Sequence, residues 1–449
     1  MKTHRVIIGV VLVAFFMTGM NTVQAQFWKK VTKTAEKAAE KAILKKTKEK
    51  VSKKTDKTIE DVIEKKSGKK QEEGVENEEV FSNKENNDST KIDQEKENSS
   101  SIFKVYSKFD FVPGEKVIAF EDFSQDEVGD LPGRWNSSNS AEIVTLSNAE
   151  GRWLQIGRGE GAFVPEFIEE FPENFTLEYD VIYDYDVSEY AFKRDLVVIF
   201  SDIENAGYEL TKISPGNNGF YFSIEGGNSG GGGVEVFKYT KDRKLNMRSD
   251  KKIPQIDKSN NGRGNKMHVS IWKQKQRVRV YVDEKKVFDI PRAFERGVAV
   301  NNLRFFSQVT TDDTYYYLAN IRYSVGKPDI RNKLITEGKL ITYGITFDTA
   351  KTKVKSESYG TIKKIASILK ENPEIKVMIT GHTDSEGGKS FNQELSEKRA
   401  EAVKQIFVNQ FQINSSRLMT EGKGEEEPIA LENEPDTKAK NRRVEFKKI

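Results

Sequence analysis

Between Ile102 and about Gly326 the chain alternates apolar and polar residues in short runs cut by Gly, Asn, Asp and Pro. That period of two belongs to strands with one face buried and one in water. Strands are predicted at Lys116 to Phe120, Trp153 to Ile156, Phe175 to Tyr183, Asp195 to Ser201, Gly219 to Ile224, Lys266 to Trp272, Arg277 to Val282 and Leu303 to Phe306. Val278, Val280 and Val282 alternate with Arg277, Arg279 and Tyr281, and Ser270 to Ile290 reads as successive antiparallel strands. Leu196 to Phe200 is apolar on both faces, as a central strand between covering layers would be. Lys327 to Lys333, with Pro328 and its charges, reads as a hinge, and beyond it the pattern changes. A strand at Ile345 to Phe347 leads to a helix that Ser356 or Ser358 can cap, with Ile362, Ile365, Ala366 and Leu369 on one face. Ile375 to Thr380 is a short buried strand between Pro373 and Gly381. From Asn392, Leu395, Ala400, Val403, Ile406 and Phe407 recur at helical spacing. Strand, helix, strand, helix, strand is the expected order, an α/β domain (βαβαβ) over 334–449 behind an all-β sandwich over 101–326.

The first hundred residues carry no such core pattern. Met1 to Ala25 has Lys2 and Arg5, an apolar run from Val6 to Met17 and then Val23-Gln24-Ala25, the three-part layout of a signal peptide cleaved after Ala25. Retention as an anchor is the alternative, although the run is shorter than the roughly 20 residues that span a bilayer. Segment 26–70 is lysine-rich and helical in pattern, with Lys29, Lys33, Lys37, Lys41 and Lys45 at i+4. It is either a solvated spacer or a basic stripe for a membrane surface. Segment 71–100 reverses the sign, with 10 acidic residues against 3 lysines, and is expected to be a disordered tether.

Composition removes several kinds of chemistry. The 449 residues include no cysteine, which excludes disulfides, thiolate metal sites and a lipidated cysteine. Three histidines, His4, His268 and His382, leave little for a histidine metal cluster or a Ser-His-Asp triad. No cofactor and no nucleic-acid partner are expected. His382 is expected to make a structural hydrogen bond.

The candidate chemistry lies in Gly381 to Ala400, where a strand opens through a glycine loop into a helix. Asn392, Ser396 and Arg399 fall on one helical line at i, i+4 and i+7, beside the buried stripe. Asp384 sits at the loop mouth. A fixed carboxylate beside a fixed guanidinium suits a ligand bearing both an ammonium and a carboxylate. The structural alternative has Asp384 cap the helix and pair with Arg399.

Thr383, Asp384, Gly387, Asn392, Leu395, Ser396, Arg399 and Ala400, with Arg417-Leu418, Gly422, Gly424, Pro428-Ile429-Ala430 and Asn441-Arg442-Arg443-Val444, form a pattern that resembles the C-terminal domain of the OmpA family. The resemblance covers roughly Leu334 to Ile449. It implies non-covalent binding of peptidoglycan through the diaminopimelate of the stem peptide, with Asp384 on its amino group and Arg399 on its carboxylate, Thr383 and Asn392 shaping the mouth. It also implies an exported protein of the periplasm or outer membrane.

The order of strands in 101–326 resembles a concanavalin A-like or laminin-G-like sandwich (jelly-roll-like), which would hold a glycan or a protein. An outer-membrane barrel is the rival, but its strands need about 9–11 residues. Those here are mostly shorter, with loops such as Asn217 to Gly233 between them. Some glycoside hydrolases on this sandwich use E-x-D-x-x-E on one strand. Glu178 and Asp180 match the first two acids and Tyr183 replaces the third, so a binding protein without catalysis is expected, the alternative being a wall-anchored glycan-active enzyme. Tyr221, Trp272 and Tyr281 either stack on a sugar or pack in the fold. The run Gly226 to Gly233 lacks a following Lys-Ser/Thr or helix and is expected to be a loop.

Overall fold

The computed structural model describes residues 109–449 apart from 185–193, 206–209, 214–217, 226–232, 241–244, 254–255, 257–264, 310–311, 313 and 432–433. The signal-peptide reading (1–25), the lysine-rich segment (26–70) and the acidic tether (71–100) lie outside the described residues, as does the loop reading of 226–232.

Fifteen strands precede Gly326 among the described residues: β1 (Lys116–Glu121), β2 (Trp135–Ser137), β3 (Ala141–Leu146), β4 (Ala149–Ile156), β5 (Gly159–Pro165), β6 (Asn174–Asp184), β7 (Arg194–Asp202), β8 (Asn218–Glu225), β9 (Gly233–Tyr239), β10 (Leu245–Lys252), β11 (Asn265–Gln274), β12 (Arg277–Val282), β13 (Lys285–Ile290), β14 (Asn302–Val309) and β15 (Tyr315–Val325). They form two antiparallel sheets. The first runs β13-β12-β11-β6-β15-β4-β3, with β1 also on β15, and the second runs β10-β9-β8-β7-β14-β5-β2. β8 holds the predicted strand Gly219 to Ile224 and fills much of the stretch 217–233 read as a loop, and Gly233 opens β9.

Alternation decides which side chains meet. Leu177, Tyr179 and Val181 of β6 and Val278, Val280 and Val282 of β12 share one buried cluster with Leu196, Val198 and Phe200 of β7 and Phe220 and Phe222 of β8. β7 is apolar on its other face too. There Val197 and Ile199 pack with Ala162, Phe306 and Ile213. The cover on that side is the chain at 210–213, held by the fully buried Arg304, whose Nε–H and Nη2–H donate to the Lys212 carbonyl at 3.1 and 3.0 Å.

The C-terminal domain begins earlier than its motif. Lys327 to Lys333 is not an open hinge. Asp329 accepts from the Asn332 N–H and caps α1 (Ile330–Ile335), whose Ile330 and Leu334 enter the C-terminal core. The first strand is β16 (Lys339–Thr342), while Phe347 makes only an isolated bridge to Val354. Ser358 precedes α2 (Tyr359–Glu371) with helical backbone angles of its own and makes no side-chain cap. Its Oγ accepts from the Thr346 N–H instead. Then follow β17 (Val377–Gly381), α3 (Lys389–Phe411), β18 (Leu418–Gly422), α4 (Pro435–Asn441) and β19 (Val444–Lys448). The sheet order is β16-β19-β17-β18, with β17 and β18 parallel and β19 antiparallel to both its neighbours. β19 thus enters the middle of the sheet, which brings Asn441-Arg442-Arg443 beside the end of β17.

The two domains share packing. Phe109, Phe111 and Val112, Trp272 of β11 and Tyr281 of β12 belong to the cluster built on Ile362, Ile365, Ile379 and Phe446. Phe109 meets Tyr281 edge-on at 5.4 Å between ring centres and Phe111 meets Trp272 at 6.0 Å. No helix among the described residues is long and apolar enough to cross a membrane.

Candidate functional site

Small residues let α3 sit on the sheet. A Cβ at Gly381 would strike the Ser396 carbonyl, and one at Gly422 would stand 2.5 Å from the Glu397 nitrogen. This close crossing draws the loop between β17 and α3 into a tight mouth, where Gly387 takes a φ of +98°, a left-handed turn that favours glycine. Asn392, on the buried face of α3, fastens that loop. Its Nδ2 donates to the Glu386 carbonyl at 3.0 Å, the Asp384 carbonyl at 3.3 Å and Glu425 Oε2 at 2.6 Å. Ser396 Oγ accepts from the Gly424 N–H at 2.9 Å, and the Thr383 N–H donates to the Gly424 carbonyl. Asn392 therefore positions the loop, its amide protons already taken by the protein. The Thr383 hydroxyl is buried and without a hydrogen bond.

Asp384 is 7% exposed. It neither caps α3 nor pairs with Arg399: Gly388 holds the N-cap position without a side-chain bond, and Asp384 Oδ2 accepts from Arg442 Nη1 at 2.5 Å. Oδ1 accepts from the Glu386 N–H at 3.3 Å. Arg399 is fixed from behind. Its Nε–H and Nη2–H donate to the carbonyls of Lys351 and Asp348 at 3.0 and 3.1 Å, and its guanidinium lies 4.8 Å from the Phe347 ring centre. Nη1 has no protein hydrogen bond among the described residues. Burial, aided by the nearby Arg442 charge and opposed by Asp384, brings Arg399 down to about 10, so it stays a cation at neutral pH.

His382 does not make the expected hydrogen bond. Both ring nitrogens are buried without one, Nε2 lying 3.6 Å from Glu445 Oε1. Burial and the Arg443 charge push it down to about 4. The rest of the motif mostly clamps the fold. Arg417 donates to the carbonyls of Ile375, Leu369 and Asn372. Asn441 Oδ1 accepts from the Ile429 and Ala430 N–H groups, and Arg443 donates to Glu445 and the Glu427 carbonyl. Arg442 is the exception, and its only sequence signal is its place after Asn441.

Glu178 and Asp180 lie together on the outer face of the first sheet, 4% and 1% exposed. Asp180 bonds His268 Nδ1 at 2.7 Å, Lys266 Nζ at 2.8 Å and Asn320 Nδ2 at 2.9 Å, while His268 Nε2 stands 3.7 Å from Glu178. Burial alone would lower His268, but its bond to Asp180 and the nearby carboxylates of Glu178 and of Glu357 from the C-terminal domain raise it to about 10. Tyr183 faces the opposite way and stacks on Tyr316 at 4.4 Å inside the core. Trp272 and Tyr281 pack between the domains. Tyr221 sits on the outer face of the second sheet beside Phe237 and Tyr239, at 4.3 and 5.6 Å.

Comparison with known proteins matches residues 346–442 to the OmpA family. Outer membrane porin F of Pseudomonas aeruginosa is 39% identical over 111 residues, 25% of this chain and 32% of the porin. The probable lipoprotein YiaD of Escherichia coli is 39% identical over 102 residues, 23% of this chain and 46% of YiaD. The crystal structure of the peptidoglycan-associated lipoprotein from Burkholderia pseudomallei aligns at 25% identity over 27% of this chain and 98% of that one, with a TM-score of 0.24. The chain spans about a third to a half of the length of the curated relatives. It carries an OmpA family domain at residues 346–442.

Proposed function

We propose that this protein binds peptidoglycan non-covalently through its C-terminal domain and thereby holds the two-sheet domain at the cell wall. The ligand is the diaminopimelate of the stem peptide: Asp384 receives its ammonium and Arg399 its carboxylate, with Thr383 and the Asn392-fastened loop forming the mouth. The observation that carries this reading is Arg399. A guanidinium anchored by two carbonyls and a ring, with Nη1 making no hydrogen bond among the described residues and a fixed carboxylate nearby, is preorganised for a ligand bearing both charges. The OmpA family match supports the class, and relatives named as an outer membrane porin and a lipoprotein support export to the envelope, in the periplasm or at the outer membrane. The two-sheet domain is a concanavalin A-like sandwich that holds a glycan or a protein. A glycan-active enzyme is disfavoured, because Glu178 and Asp180 are buried and bound to His268 and Lys266.

The test uses the full chain, since the C-terminal core draws on Phe109, Phe111 and Ile330. Wild type, Asp384→Asn and Arg399→Gln are incubated with purified sacculi and sedimented, with and without free diaminopimelate. Wild type should co-sediment and be released by the competitor, and each variant should stay soluble while keeping its circular dichroism. Full co-sedimentation of both folded variants would refute the assignment.

A further inference from the structure

We infer that the first sheet of the two-sheet domain positions Arg399 through a hairpin at 346–355, and so sets how well the C-terminal domain holds a carboxylate. This rests on the reading of Arg399 as the carboxylate receptor and deepens it. The hairpin is short. The Lys355 N–H donates to the Thr346 carbonyl at 2.9 Å, Phe347 bridges Val354, and the Lys351 N–H donates to the Asp348 carbonyl at 3.0 Å. Its tip is what fixes the guanidinium, by the carbonyls of Lys351 and Asp348 and the ring of Phe347. Ala350, inside that tip, has a φ of +54°, a left-handed conformation that costs an alanine free energy and persists only where surrounding contacts impose it.

The outer face of the first sheet supplies contacts at both ends of the stem. On the way in, Arg322 of β15 donates from Nη1 to the Tyr343 carbonyl at 3.2 Å. On the way out, Lys355 and Glu357 pair at 2.9 Å, and Glu357 also accepts from Thr346 Oγ1 at 3.4 Å. This pair meets the buried set on β6 and β11: Lys355 feels the charge of Asp180, and Glu357 that of His268. Asp180 is itself fixed by His268, Lys266 and Asn320, so the sheet offers the hairpin a rigid partner. Anion meets cation twice across the junction, where little water screens them, and removing one charge leaves another buried and uncompensated. At the tip, Lys351 Nζ stands 3.7 Å from Glu150 of β4, but both are exposed and this pair adds little. The stem is therefore gripped by one domain while the tip carries the receptor of the other. A receptor that must meet its ligand within about 0.5 Å is sensitive to any shift of that stem. The coupling is reciprocal, so a bound carboxylate in turn tightens the domain junction.

Binding of the full chain is measured by calorimetry for L-Ala-γ-D-Glu-meso-diaminopimelate-D-Ala and for the same peptide amidated at the free carboxylate of diaminopimelate. Wild type should bind the acid about tenfold tighter than the amide, the size of a charge-assisted hydrogen bond. Arg322→Met and Glu357→Gln loosen the two ends of the stem. Each should cut that preference about threefold while binding the amide as wild type does and keeping its circular dichroism. A loss of stability alone would weaken both peptides equally. Either variant decides if the other fails to fold. A folded variant that keeps the wild-type preference would overturn the inference, as would equal weakening of acid and amide. A wild type that binds the two peptides equally, or binds neither, refutes the Arg399 assignment itself, and the positioning role falls with it.

Discussion

Replacing Gly360 by alanine asks whether the two domains are one packed body. The backbone of Phe111 lies against the first turn of α2, and a Cβ on Gly360 would fall inside the shell of the Phe111 carbonyl oxygen, 2.9 Å from its carbon and 3.0 Å from the Phe111 nitrogen. Ordinary carbon contacts are about 3.5–4.0 Å, so something must move by at least about half an ångström. Both neighbours are backbone. Relief means lifting residues 109–112, which pulls Phe109 and Phe111, both fully buried, away from Tyr281 and Trp272. Overpacking of this kind costs about 1–3 kcal/mol, and with no flexible side chain to yield, the upper figure applies. The helix preference for alanine over glycine returns up to about 1 kcal/mol. A net loss of about 2 kcal/mol, spread over one packed body of roughly 340 residues, should lower Tm by about 3 °C. Thermal denaturation followed by circular dichroism reads it directly, with Gly133→Ala, where a Cβ meets open space, as the control expected to melt with wild type. A Gly360→Ala protein melting within about 1 °C of wild type would mean that 109–112 does not pack on α2.

Two further outcomes are expected. His268 sits at about 10 in the folded chain against 6.5 unfolded, so its contribution is complete below pH 6.5 and lost as pH rises through about 10. Within that window stability should fall by about 1.4 kcal/mol per pH unit, measured by urea denaturation, and His268→Gln should remove the slope. Burial would raise Asp180 and Glu357, but the neighbouring cations win and hold both below the usual carboxylate range, so their stabilisation is lost as pH falls into the acid range. Arg417→Met leaves the carbonyls of Ile375, Leu369 and Asn372 without their donor and should cost about 2–3 kcal/mol in the same assay.

Strands were legible because alternation reports burial directly: Arg277 to Val282 has the same bounds in sequence and structure. The both-face burial of Leu196 to Phe200 was also legible, though not what covers it. Failures cluster where a residue serves something distant in sequence. Ser358 has the chemistry of a cap, yet Thr346 claims its hydroxyl. Ile345 to Phe347 is apolar enough for a strand, but the sheet takes Lys339–Thr342. Phe109 to Val112 looks like sandwich because it precedes β1, whereas it is seated between Trp272 and Tyr281 of the first sheet and the C-terminal helix α2, far on in the chain. At the site, helical spacing placed Arg399 correctly beside the buried stripe. Asp384's partner was out of reach of any local rule, because insertion of β19 into the middle of the sheet is what brings Arg442 to it.

The seating of Phe109 to Val112 in the C-terminal core fixes a load path. Tension arriving from residues before 109 reaches this segment first, and only then β1. The segment lies on α2 like a strap and must be sheared sideways out of the core, taking Phe109 off Tyr281 of β12 and Phe111 off Trp272 of β11 together, before β1 feels any pull. Forced opening is governed by the unfolding rate rather than by equilibrium stability. A chain gripping the wall through Asp384 and Arg399 would therefore bear tension first at the seam shared by α2, β11 and β12, with β1 loaded only once that seam has opened.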